Sequence, residues 1–153
     1  MKTILISLII CACASGADNM ATYKQYGFSI RLPVDKEVSY GLIVNAFLPP
    51  KNGFSSNVNV MLQDFSGKLE DYDALTQGQF KQAKLNVIVS KNTGTFIEYE
   101  YSGNQNGVDL HWYSRAYKGP KGVFLITGTT LESEWKSQKD LVIKSVTSFS
   151  LLK

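Results

Sequence analysis

Hydrophobic and polar residues alternate in short blocks along most of this chain, and the period of the alternation identifies the elements. Over residues 26–32, Phe28, Ile30 and Leu32 alternate with Gly27, Ser29 and Arg31. That is the period-two pattern of a strand, and Pro33 closes it. A second apolar run over residues 42–48 ends at Pro49 and Pro50, after which Lys51, Asn52 and Gly53 predict a turn. A third strand is predicted over residues 57–64, with Val58, Val60 and Leu62 on one face and Asn57, Asn59, Met61 and Gln63 on the other. Three strands in succession predict antiparallel pairing.

The period then changes. Over residues 69–85, Leu69, Tyr72, Leu75, Phe80 and Ala83 fall at helical spacing, and Glu70, Asp71 and Asp73 crowd the first turn, where acids suit the helix dipole. Gly78 inside this helix costs about 1 kcal/mol relative to alanine. Strands are predicted again over residues 87–90, 95–102, 108–118 and 123–127. Their connectors, 92–94, 103–107 and 119–122, are rich in Gly, Asn and Pro. A last helix over residues 131–149 presents Leu131, Trp135, Val142, Val146 and Phe149 to a core, with Thr129 and Glu132 at capping-box spacing. Strands, helix, strands, helix is an α+β order: an antiparallel sheet of about six to seven strands flanked by two main helices.

Three blocks of the chain, YGFSIRLP (residues 26–33), GVFLITGTTLESEW (122–135) and IKSVTSF (143–149), give it a resemblance to the PsbP/DcrB-like family of small exported α+β domains. The resemblance spans most of residues 23–149 and implies a sandwich of an antiparallel sheet with flanking helices. The family includes photosystem assembly subunits, bacterial envelope proteins and, more distantly, a nuclear-transport factor, so a shared fold implies no shared activity. It brings no catalytic motif to carry over.

The first residues do not belong to this pattern. Met1 and Lys2 precede an apolar run over residues 4–10, followed by Ala12, Cys13, Ala14, Ser15, Gly16 and Ala17, the layout of an export signal over residues 1–17. The run is shorter than the roughly 20 apolar residues a membrane-spanning helix needs. Ile10-Cys11-Ala12-Cys13 resembles a bacterial lipobox, which makes Cys13 the lipidated first residue of the mature protein; Cys11 departs from the small or β-branched residue usual there. Cleavage after Ala14 or Ala17 is the alternative. Either way the mature chain keeps at most one cysteine, so no internal disulfide forms. Residues 18–24 read as a tether, and residues 23–153 as a single domain.

Length and charge narrow the function. The 153 residues are 44% apolar and 19% charged, enough for one packed core and too apolar for a disordered chain. The net charge is only +3, and Arg31 and Arg115 are the sole arginines, so nucleic acid is not an expected partner. No glycine-rich phosphate loop and no Gly-x-Ser-x-Gly elbow occurs, and a single histidine leaves little for nucleophilic catalysis. No cofactor, metal site or catalytic residue is expected.

The candidate chemistry lies in the hairpin formed by the strands over 95–102 and 108–118. The register that gives clean faces puts Glu98, Glu100, Asp109, His111 and Arg115 together with Tyr113 on one side. Such a patch reads either as a metal or ligand site or as cross-strand charge pairing on a half-exposed sheet face, each pair adding about 0.2–1 kcal/mol. Tyr99, Tyr101, Tyr113 and Tyr117 in the same hairpin read either as partner-binding aromatics or as ordinary strand residues. The expectation is an exported, lipid-anchored envelope protein with a non-catalytic protein-binding or assembly role. A small-molecule or lipid-binding module with a cavity between sheet and helices is the alternative, and a hydrolase the third. An exposed apolar or aromatic patch would favour a protein partner; a deep apolar pocket would favour a ligand.

Overall fold

The three longest strands pair consecutively, and their register decides which side chains meet each helix. The computed structural model describes residues 20–23, 28–31 and 41–151. The chain divides into two compact units, Met1–Glu37 and Val38–Lys153. The expected export signal, Cys13 and the expected cleavage sites lie outside the described residues.

In the first unit, β1 (Met20–Tyr23) pairs antiparallel with β2 (Phe28–Arg31), Met20 opposite Arg31 and Tyr23 opposite Phe28. The strand expected over residues 26–32 is therefore found, but part of the stretch read as a tether is its partner strand. This hairpin is a separate two-stranded sheet, and six strands make the main one.

That main sheet runs β3-β4-β8-β7-β6-β5, antiparallel throughout. Its strands are β3 (Gly41–Phe47), β4 (Asn57–Gln63), β5 (Asn86–Asn92), β6 (Phe96–Gln105), β7 (Val108–Gly119) and β8 (Gly122–Leu131). Two connectors are tighter than the sequence predicts. Residues 103–105 continue β6, and only Asn106 (φ 54°) and Gly107 (φ 85°) turn the chain. Positive φ at both central residues is the hairpin turn whose twist matches the strands it joins, and Asn-Gly is its best sequence. Likewise β8 runs on to Leu131, because Thr129 and Thr130 complete the ladder opposite Trp112 and His111.

The two helices cover opposite faces. Helix α1 (Leu69–Gln82) buries Leu69, Tyr72 and Phe80 against Ile97, Tyr99, Ala116 and Val123. Helix α2 (Trp135–Thr147) sets Val142 and Val146 against Tyr113 and Ile126, with Val58, Val60 and Phe124 packed around them. Burying a valine or isoleucine of this kind contributes about 1.5–3 kcal/mol. Not every periodic position reaches the core: Leu75 is 57% exposed on α1, because its flank of the helix turns from the sheet.

The helix ends also differ from expectation. At the start of α1 the Asp71 carboxylate accepts the backbone N–H of Lys68, one half of a capping box. At its end Leu85 N–H bonds to Phe80 C=O and Lys84 N–H to Lys81 C=O, a Schellman motif with Lys84 at φ 55°. Helix α2 begins after a 3₁₀ turn over Glu132–Glu134, so the predicted capping box from Thr129 does not form; Thr129 is a strand residue. Among the described residues no helix is long and apolar enough to cross a membrane.

Candidate functional site

Register places the polar residues of β6 and β7 on the α2 side of the sheet. Glu98 stands opposite Arg115, Glu100 opposite Tyr113, and Ser102 opposite His111. A one-residue slip would have exchanged these with Ile97, Tyr99 and Tyr101.

Glu98 takes three donors on one oxygen. Arg115 Nε and Nη2 lie 2.9 and 2.6 Å from Glu98 Oε2, and the Tyr113 hydroxyl donates to the same atom at 2.7 Å. Burial pushes this carboxyl's pKa up, but the hydrogen bonds from Tyr113 and Arg115 outweigh it and hold the pKa below the usual carboxylate value. Burial and the adjoining Glu98 push the Tyr113 hydroxyl up to about 12. The Arg115 guanidinium also lies over the Phe96 ring, 4.3 Å from its centroid.

His111 is 2% exposed. Its Nε2 is 3.0 Å from Glu100 Oε1, and its Nδ1 is 2.9 Å from Glu132 Oε2. The ring stacks on Trp135, the first residue of α2, with centroids 4.0 Å apart and planes 14° apart. His111 thus ties β7 to β6 and to the turn that starts α2. Trp135 covers the imidazole, while Glu98, Glu100 and Arg115 stay partly exposed and Glu132 is half-exposed.

This geometry does not converge on an ion. The two ring nitrogens point in diverging directions, so the two carboxylates sit on different edges of the imidazole with the ring between them. Among the described residues no group of three or more His, Cys, Asp or Glu side chains is placed to hold a metal. Asp109 stands apart from the pairs: it accepts a hydrogen bond from Asn104 Nδ2 at 2.7 Å beside the hairpin turn. Of the five polar candidates, the structure assembles Glu98 with Arg115 and Glu100 with His111, and sends Asp109 elsewhere. The sequence reading missed Glu132 and Trp135 as partners of His111. Their signal was Trp135 on the core face of the helix expected over residues 131–149 and Glu132 in its first turn.

The four tyrosines do not form one surface either. Tyr99, 0% exposed, is on the α1 face, edge-on to Phe80 at 5.3 Å, and its hydroxyl donates to Asp73 at 2.8 Å. Tyr101 on the same face stacks on Trp112 at 5.2 Å. Tyr113 and Tyr117 are on the α2 face, Tyr117 packing on Phe149 and Phe96. Alternation along the strands splits them between two cores.

Exposed apolar surface gathers instead on β3, which forms one edge of the sheet. Leu42, Ile43, Val44 and Phe47 are 58%, 50%, 49% and 63% exposed. No charged residue occurs from Gly41 to Phe47. At the opposite edge β5 carries Lys91, a charge of the sort that discourages edge pairing. The signal was present in the sequence as an apolar run without alternation, which a strand packed on one face does not show. Nearby, the β3–β4 connection is held by its own turn, where Asn52 and Gly53 have φ 52° and 75°. The Glu134 carboxylate accepts from Lys51 Nζ and Asn52 Nδ2 and fastens that turn to the start of α2.

Comparison with solved structures places this arrangement. The cyanobacterial PsbP protein of Synechocystis sp. PCC 6803 superposes with a TM-score of 0.50 at 17% identity, covering 92% of this chain and 96% of that one. The fold is PsbP-like. The PA94 protein of Pseudomonas aeruginosa, of unknown function, shares it with a TM-score of 0.67 at 12% identity, over 88% of this chain and 99% of that one. No family model matches the sequence, and no curated protein sequence does. At these identities the likeness is one of fold. The PsbP-like resemblance read from residues 26–33, 122–135 and 143–149 is supported at that level, as is an α+β sheet with two helices.

Proposed function

We propose that this chain is an exported envelope protein, lipid-anchored through Cys13, with a non-catalytic assembly role in which the edge strand β3 is the surface that docks. The observation that carries the reading is the uncharged, largely apolar and exposed strand at one edge of the sheet. An edge strand offers a row of backbone donors and acceptors, and proteins ordinarily protect such edges with charge or proline. An exposed apolar strand without that protection suits a protein partner added by strand pairing.

The polar candidates support the same reading by being occupied. Glu98, Glu100, His111 and Arg115 already satisfy one another, and the tyrosines are packed in the two cores. These groups hold the sheet and α2 together.

Two measurements test the proposal. Intact mass of the protein from its native envelope should show a diacylglycerol-modified Cys13 as the first residue; a mature chain starting after Ala14 or Ala17 removes the anchor. A photo-crosslinking residue at Val44 should give a discrete protein adduct in intact cells that is lost with Ile43→Lys and absent when the probe is at Leu75. Equal adducts from Val44 and Leu75 would remove β3 as the docking surface.

A further inference from the structure

We infer that the strand docking on β3 is β3 of a second copy, paired antiparallel about a two-fold axis through Asn45. This inference rests on the assembly reading above and names its partner. A two-fold interface must be self-complementary, each residue meeting its counterpart's opposite number. β3 meets that requirement along its own sequence.

With the axis at Asn45, Val44 faces the second copy's Ala46 and Asn45 faces Asn45. The first pairing, made twice about the axis, sets apolar against apolar. In the second, each side-chain amide has both a donor and an acceptor, so two asparagines opposite one another can bond reciprocally. The faces also agree. Val44 and Ala46 pair with Val60 and Val58, and so lie on the α2 side, whereas Asn45 and Phe47 pair with Asn59 and Asn57 and lie on the α1 side. Shifting the pairing by one residue sets α2-side residues against α1-side ones and strands Asn45 opposite an apolar side chain, so the polar residue specifies the register.

Charge points to the same occupant. With no charged residue from Gly41 to Phe47, two copies bring no like charges together, whereas a charged strand would have its charges desolvated against Leu42, Val44 and Phe47 without a partner. The β-irregularity at Ile43, between Leu42 and Val44, bounds the regular stretch at its N-terminal end, leaving Val44–Phe47 regular and Val44–Ala46 as the residues that pair about the axis. A contact this short is smaller than the standard interface of about 1,600 Å². The dimer is therefore weak and concentration-dependent.

The test uses the full chain with Cys11→Ser and Cys13→Ser, so that any thiol is an introduced one. On mild oxidation Asn45→Cys should give a disulfide-linked dimer, since residues directly opposite across an antiparallel pair have Cβ atoms about 4.5–5.5 Å apart. Phe47→Cys, four residues out of register with its counterpart and so about 14 Å from it along the strands, should not. In parallel, sedimentation equilibrium should show the weight-average mass rising with concentration from 17.0 kDa toward twice that value. Val44→Lys should hold it at the single-chain mass, and Leu75→Lys on α1 should leave the rise unchanged. Equal crosslinking at positions 45 and 47, or association that persists in Val44→Lys, overturns the self-pairing. So does a chain that stays monomeric at every concentration; if Val44 still gives its specific adduct in cells, the docking surface stands and only the identity of the partner falls.

Discussion

Gly128 on β8 lies directly beneath Val142 on α2, and a Cβ at position 128 would overlap the valine's Cγ1. The missing side chain lets the helix sit down on the sheet, with Val142 and Val146 buried beside Ile126. Gly128→Ala should therefore force α2 outward and destabilise the protein by about 1–3 kcal/mol, the usual cost of overpacking. Urea unfolding reads this directly. An unchanged midpoint would mean that α2 shifts without loss of packing.

Lys84 offers the opposite sign. It ends α1 at φ 55°, a conformation that glycine adopts without a Cβ penalty. Its Schellman hydrogen bonds come from backbone groups, so they survive substitution. Lys84→Gly should stabilise by about 0.5–1 kcal/mol, net of the greater freedom glycine brings to the unfolded chain. A lower denaturation midpoint would show that the lysine side chain contributes more than its backbone costs.

Glu98 predicts an acid dependence. Its folded pKa is depressed by Tyr113 and Arg115 despite burial, so the carboxylate adds stability that is present above the unfolded pKa. That contribution is lost as pH falls below about 4 and through the folded pKa. Glu98→Gln should be less stable than the parent at pH 7, and the two stabilities should converge as pH falls through the depressed folded pKa. Parallel curves for the two proteins over that range would contradict the assignment.

His111→Leu should cost about 2–3 kcal/mol, because it removes the buried hydrogen-bonding partner of Glu100 and Glu132 beneath Trp135. Added zinc should not raise the thermal midpoint of the parent protein, since the two carboxylates flank the imidazole. A zinc-dependent rise abolished by His111→Leu would reinstate a metal site.

The strand periods, the switch to a helical period after Lys68, and the turn residues at Lys51, Asn52 and Gly53 were legible in the chain, because each depends on neighbours a few positions away. Clean alternation in β6 and β7 also revealed which residues share a face: Glu98 with Arg115, and Glu100 with His111. Whether that face met water was not legible. Trp135 covers His111 across a separation set by the path of β8, and no local pattern encodes the distance between α2 and the sheet. Thr129 and Leu75 show the same limit. A capping-box spacing and a helical position were both present, but Thr129 joins the sheet ladder and Leu75 lies on the exposed flank of α1.

By itself the sequence determined an α+β fold with two helices, since this follows from short-range periodicity. Only the tertiary structure decided that the polar hairpin pairs its own charges around a buried His111 and that the edge strand β3 exposes four large apolar side chains. Exposure depends on which strand ends the sheet and which face each helix covers. Those are set by long-range pairing.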